Sequence, residues 1–314
     1  MKKYGFTMKQ LSYVSCGLLL GSSSVFAGEV YHLNFDQFEA GSYSKQNIKD
    51  DTKANYGKGF YDGSDPSSDR AMIDSGESVT GNGQSLRITF PAGKLKTADS
   101  GVDTRIPLSG TASKNTYAAD ELYLSYWIKF SDNFEFEQCG GKLPSLGGAD
   151  YASRENQWKG RIMWRPGGSI QFYMELPHDL DKIDSDFDRF WGEKEIDGGS
   201  ICDNRFSPYL ATPGWHNIEL HYKLNSLGQS DGLFEGWVDG NKGYKLVNAD
   251  VFGNYRPEGG EQDKLTINSI LLSTFLGGSS DQYKMAEDTY IWVDEFKVST
   301  TRVNEYYRYN NGQW

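Results

Sequence analysis

Arg161-Ile-Met-Trp-Arg-Pro-Gly-Gly-Ser-Ile-Gln-Phe-Tyr-Met-Glu175 reads as two strands joined by a three-residue turn. Strand side chains alternate between the two faces of a sheet. Going out, Arg161, Met163 and Arg165 share one face, and Ile162 and Trp164 the other. Coming back, Gln171, Tyr173 and Glu175 share one face, and Phe172, Met174 and Leu176 the other. The two polar sets meet on one side only if the turn holds an odd number of residues. Pro166-Gly167-Gly168 supplies three, with glycine where φ must be positive. This register opposes Arg165 to Ser169, Met163 to Gln171 and Arg161 to Tyr173. Ile162, Trp164, Phe172 and Met174 are then expected in a core, with Arg161, Arg165, Gln171 and Tyr173 lining a concave groove. Positive charge beside a tyrosine favours its phenolate form. The bland alternative is a solvated face charged for solubility.

The preceding stretch, Cys139-Gly-Gly-Lys-Leu-Pro-Ser-Leu-Gly-Gly148, reads as a glycine-rich loop holding one lysine. Lys142, Arg154, Lys159, Arg161 and Arg165 gather five cations, although the 314-residue chain carries a formal net charge of −11. A local reversal of sign on an acidic protein suits an anionic ligand. The overall charge argues against general nucleic-acid binding, which needs a basic face.

Working outward, short alternating runs recur. Tyr31–Phe35, Ser85–Phe90, Val102–Pro107, Glu121–Phe130, Trp215–Leu224, Leu233–Leu246, Thr266–Phe275 and Thr289–Val298 all read as strands or hairpins. In Glu121–Phe130 the residues Leu122, Leu124, Tyr126 and Ile128 share a face. In the Trp215 run, Ile218, Leu220 and Tyr222 point inward, and Glu219, His221 and Lys223 outward. Leu233–Leu246 is expected to turn at Asp239-Gly-Asn-Lys-Gly243. Residues 37–68 read as a long polar loop; Asp62, Asp65 and Asp69 fit no strict calcium-loop signature there, and a solvated turn is expected. Residues 178–213 read as an irregular excursion of the kind that walls a cleft. With abundant glycine and aromatics and no internal repeat, the simplest fold is all-β: one jelly-roll sandwich of two antiparallel sheets spanning residues 28–314.

The first 27 residues read as a secretory signal. Lys2, Lys3 and Lys9 precede an apolar run that ends at Val25-Phe26-Ala27, and the run is too short for a convincing membrane span. The mature chain is expected to be secreted or periplasmic and monomeric. It keeps Cys139 and Cys202, for which an oxidising compartment favours a disulfide over two free thiols.

At the central hairpin the sequence resembles family 14 of the polysaccharide lyases. Gly140-Gly-Lys-Leu-Pro-Ser-Leu-Gly-Gly148 is similar to that family's Gly-Gly-Lys-Leu-Pro-Gly-Leu signature, and Arg161-Ile-Met-Trp-Arg165 to the Arg-Leu-Met-Trp-Arg that follows it. Ser273-Thr-Phe-Leu-Gly-Gly278, Asp281-Gln and Tyr290-Ile-Trp-Val-Asp-Glu-Phe296 resemble its closing strands. The resemblance covers roughly residues 120–300. It implies a jelly-roll enzyme that cleaves alginate or a related polyuronate, with Lys142, Arg161 and Tyr173 as working residues. Two positions depart from the family's pattern. Its second tyrosine falls on Glu175, and a small hydroxyl residue falls on Lys159.

The chemistry fits those residues. A polyuronate lyase must neutralise the uronate carboxylate, take the C5 proton and protonate the leaving O4. Arginine and lysine supply the first need, and tyrosine or lysine the others, without cofactor or metal. Substrate contacts are expected from Arg165, Gln171, Glu175, Lys159, Arg154, Arg105 and His178. Two other classes stay open. A glycoside hydrolase would use paired carboxylates, for which Glu175, Glu235 and Asp239 are available. A non-catalytic carbohydrate-binding sandwich would need only the aromatic, cationic groove. His216 and His221 read as lying on an outer strand, away from the site.

Overall fold

The computed structural model describes residues 28–56, 62–63, 70–108, 119–136, 140–148, 158–175, 210–226, 229, 231–249, 265–278 and 280–311. Of 52–56, 62–63, 173–175 and 243–249 only the backbone is described. The signal segment, Arg154, His178, the two cysteines of the expected disulfide, and Asp65 and Asp69 lie outside the described residues, as does nearly all of the 178–213 excursion.

Two antiparallel sheets pack face to face. Numbered along the chain, the larger runs β13 (Asn241–Ala249), β12 (Gly232–Val238), β11 (Trp215–Lys223), β7 (Glu121–Phe130), β15 (Thr289–Ser299), β5 (Ser85–Phe90), β4 (Ala71–Asp74), β2 (Gly41–Ser42), with β1 (Glu29–Leu33) also on β15. The smaller runs β10 (Ile170–Glu175), β9 (Trp158–Trp164), β8 (Gly141–Gly148), β14 (Ser269–Thr274), β6 (Val102–Pro107), β3 (Asp62–Gly63). The expected jelly-roll sandwich is thus the observed architecture, with fifteen strands among the described residues.

Period-2 patterning places the core between the sheets. Leu122, Leu124, Tyr126 and Ile128 of β7, and Ile218, Leu220 and Tyr222 of β11, are buried in one apolar cluster with Leu143, Ile162, Trp164 and Phe172 of the smaller sheet. Each such side chain contributes roughly 1.5–3 kcal/mol by leaving water. Phe172 stacks on Phe234 across the sandwich with ring centroids 3.8 Å apart. The face assignment holds for these residues because a one-residue slip would turn every apolar side chain outward.

Four expectations need correction. The 37–68 segment is not all loop: it carries the helix α1 (Lys45–Tyr56). The overlooked signal is a capping box. Asn47 N–H donates to Ser44 Oγ, and Ser44 N–H donates back to Asn47 Oδ1 at 2.7 Å. The 233–246 hairpin turns on two residues rather than five. Asp239 (φ 50°) and Gly240 (φ 73°) take the left-handed conformations that a tight hairpin turn needs.

The strand β11 is not an outer strand. It lies between β12 and β7, and its supposedly solvated face is covered. Glu219 and His221 are buried on that face; His216, on the opposite face with Ile218, is buried beside Thr212 and Asp239. Part of the cover is the chain after β15, which folds back over Glu219 and Trp127; neighbouring strands enclose His221. Glu219 accepts from Val303 N–H at 2.6 Å and from Arg302 Nε at 3.1 Å. His221 bridges Glu121 and Glu235 at 2.9 and 3.1 Å and stacks on Tyr123. Tyr306 and Tyr309 of the helix α3 (Glu305–Asn310) pack on Trp127.

The fourth correction concerns Lys142. The glycine-rich stretch is the strand β8, not a loop. Its glycines serve close packing. A Cβ at Gly140 would lie 2.0 Å from Trp164 O, one at Gly141 2.2 Å from the Trp164 indole, and one at Gly148 1.8 Å from Thr266 O. Pro144 coincides with a bulge between Leu143 and Leu146. Two tyrosines reach across the sandwich to this irregular part. Tyr126 Oη donates to Pro144 O at 3.0 Å; Tyr222 Oη accepts from Leu146 N–H and donates to Gly160 O at 2.6 Å.

One buried acid makes stability depend on pH. Burial pushes the Asp294 carboxyl up to about 8, helped by the charges of Glu295 and Asp36 and opposed by backbone hydrogen bonds from Val79 and Glu295. Its folded pKa lies above its ordinary 3.8, so the folded state holds the extra proton between these values. Stability therefore falls as pH rises through that window. His216 acts in the same direction. Burial opposes its charge most strongly, but the hydrogen bonds to Asp239 and the Thr212 carbonyl together with the charge of Asp239 outweigh it and raise its pKa, so its contribution is lost as pH rises through the raised value. The melting temperature is expected to drop between about pH 6 and pH 8, inside the Asp294 window, and Asp294→Asn to flatten most of that drop. An equal drop in the variant would show that Asp294 is not the group responsible.

Candidate active site

The outer face of the smaller sheet carries the candidate site. The hairpin β9–β10 has the expected register: Gln171 pairs with Met163, Tyr173 with Arg161 and Glu175 with Lys159. The turn is Pro166–Gly168, with Gly167 at φ 71° and Gly168 at φ 76°, and Arg165 N–H donates to Ser169 O. The strand β8 pairs with β9 on its other side, setting Lys142 opposite Met163. Lys142, Met163 and Gln171 thus form one row across three strands, and Arg161 and Tyr173 the next.

The two cations converge on one ring. Lys142 Nζ and the Arg161 guanidinium carbon each lie 5.5 Å from the centroid of Phe275. Phe275 follows β14 directly, and its carbonyl accepts from Lys142 N–H at 2.9 Å. The gap beside Lys142 is kept by Gly277, where a Cβ would lie 3.3 Å from Nζ. A cation over an aromatic face is stabilised without losing its charge. Arg161 also faces Asp103 of β6, NH2 to Oδ1, at 3.8 Å.

The polar face is less open than the alternation of residues implies. Arg161, Arg165 and Gln171 are buried, at 2%, 1% and 1% exposure. The segment at 210–211 covers the turn end: Leu210 N–H donates to Gly168 O, and a Cβ on Gly168 would meet Ala211 N at 2.5 Å. A guanidinium cut off from water must be satisfied inside the protein. Arg165 does so by donating Nε to Gln171 Oε1. It thereby holds Gln171, its neighbour on the hairpin. Lys159 is half-buried, opposite Gly147 and Glu175. Arg105 is half-buried on the same face as Asp103, with Leu271 and Asp62 as strand partners.

The carboxylates weighed for hydrolysis do not form a pair here. Glu235 lies on β12 of the other sheet, hydrogen-bonded to His221 and Lys242. Asp239 lies in the β12–β13 turn, bonded to His216. Glu175 is on β10. Among the described residues no group of three or more His, Cys, Asp or Glu could hold a metal ion.

Sequence reasoning missed Phe275, Ser273 and Asp103. The first two stand within a motif noted for its family resemblance. Asp103 reaches the site only through the order β9-β8-β14-β6, a non-local pairing that no sequence window contains.

Two antiparallel sheets with lysine and arginine gathered over one aromatic ring define a sandwich built to handle an acidic polymer. The chain belongs to the polysaccharide lyase 14 family, whose model matches residues 79–296, and it is a polysaccharide lyase. Solved structures share the fold. An alginate lyase of the same family from Aplysia kurodai is 20% identical over 88% of this chain and 100% of its own, with a TM-score of 0.58. The alginate lyase Aly36B is 19% identical over 86% of this chain and 96% of its own, with a TM-score of 0.56. A variant of it in complex with alginate trisaccharide is 18% identical over 86% and 98%, with a TM-score of 0.58. No curated protein sequence matches the chain.

Proposed function

We propose that the protein is a secreted lyase that cleaves mannuronate-rich alginate by β-elimination. The observation that carries this reading is the placing of Lys142 and Arg161 around the Phe275 ring, with Tyr173 as the strand partner of Arg161. The polymer is assigned from family membership and from the alginate-binding neighbours, and secretion from the leader ending at Ala27; the choice of mannuronate is the finer part of the proposal, which the comparison of polymers below decides.

In this reading Arg161 takes the uronate carboxylate and draws charge from it, so that the C5–H bond can break. Tyr173 receives the C5 proton. The electron pair forms the C4–C5 double bond, and the C4–O4 bond breaks. Lys142 supplies a proton to O4 or shares in neutralising the carboxylate. Gln171, held by Arg165, and Lys159 contact neighbouring sugars.

Ultraviolet absorbance of the unsaturated ends tests the reading. It is expected to rise fastest on polymannuronate, compared with polyguluronate and polyglucuronate. Reducing ends released without that absorbance would mean hydrolysis, and no product from any polyuronate would leave the assigned substrate without support.

A further inference from the structure

Asp103 is an acidic side chain at a site that must hold an acidic substrate. Arg161 NH2 lies 3.8 Å from Asp103 Oδ1, with 3% of the arginine side chain and 35% of the aspartate exposed. At that separation the contact is coulombic and too long for a hydrogen bond. The same oxygen accepts the hydroxyl of Ser273, the cross-strand partner of Asp103 on β14. Ser273 is buried, two residues before the ring that carries both cations. The carboxylate is thus tethered just short of the guanidinium, on a side open to solvent.

We propose that Asp103 is a built-in competitor for Arg161: a carboxylate of the protein that offsets the guanidinium when no uronate is bound and limits how tightly one is held. This rests on the polyuronate reading. A uronate arriving at Arg161 meets the field of Asp103 and must displace part of its interaction. Such tempering serves turnover, because tighter binding of substrate and transition state alike does not raise the chemical rate, and the product carries a carboxylate too. Ser273 sets the strength of the competition by restraining the carboxylate.

The inference predicts opposite effects from the two ends of one contact. Asp103→Asn keeps the shape and the acceptor for Ser273 but removes the charge. Saturated oligomannuronate, titrated calorimetrically, is expected to bind it about 5- to 10-fold more tightly at low salt, with the gain shrinking as salt rises. KM should fall in step and kcat should not rise. Ser273→Ala releases the carboxylate toward Arg161, and binding should weaken by about threefold. Circular dichroism melts of both variants separate these effects from misfolding, and the serine variant gives a second test should the asparagine variant not fold. Unchanged or weaker binding in Asp103→Asn would overturn the proposal, since a residue that only orients Arg161 cannot improve affinity when altered. If the wild-type chain itself gives no binding signal, the polyuronate reading fails and this inference falls with it.

Discussion

Tyr173→Phe is expected to lower turnover on the polyuronate by roughly 10²–10⁴-fold while substrate binding persists. The substitution keeps the ring and removes only the ionisable hydroxyl. The expectation rests on register: Tyr173 is the strand partner of Arg161, whose guanidinium sits against Phe275 and near Asp103. Positive charge beside a phenol favours the phenolate that proton removal requires. A base role predicts that kcat falls and the acidic limb of the pH–rate profile disappears, with oligosaccharide affinity close to wild type. Glu175→Gln provides the contrast. Glu175 pairs with Lys159, one row farther from Arg161, so its loss should change affinity much more than kcat. An inactive Glu175→Gln beside an active Tyr173→Phe would move the base to the carboxylate.

The parts of this molecule legible in its sequence are those set by local rules. Alternation of apolar residues gave β7 and β11 their inner faces. The parity of Pro166-Gly167-Gly168 fixed the register of β9 against β10, because a turn of known length leaves one alignment that buries Ile162, Trp164 and Phe172 together. Two things were not legible. One is what covers a face. Glu219 and His221 alternate as a solvated set would, yet Arg302 and Val303 cover Glu219, Glu121, Glu235 and Tyr123 enclose His221, and residues 210–211 cover the turn beside Arg165. The other is which distant strands become neighbours. Asp103 and Arg161 lie 58 positions apart and meet only because β8 and β14 stand between their strands. The glycines of β8 show the same limit. Their spacing resembles a flexible loop, but contact distances to Trp164 and Thr266 assign them to close strand packing.

Lys142→Ala is expected to be about as damaging as the tyrosine change, lowering kcat/KM by roughly 10²–10⁴-fold, and its split between kcat and KM decides the lysine's role. Lys142 lies on β8, a strand pinned from behind by Tyr126 and Tyr222, so truncating its side chain removes a charge without loosening the backbone that carries it. Its ammonium shares the Phe275 ring with Arg161, which brings two positive groups to one place. If the lysine delivers the proton to O4, kcat should carry the loss, and substrates with better leaving groups should recover part of it. If it neutralises the carboxylate beside Arg161, KM should rise as well, and Lys142→Arg should retain more activity than Lys142→Ala because the charge survives. Activity within a few-fold of wild type for Lys142→Ala would remove the lysine from the mechanism. Arg161 would then be left as the cation that the hairpin register brings to Tyr173.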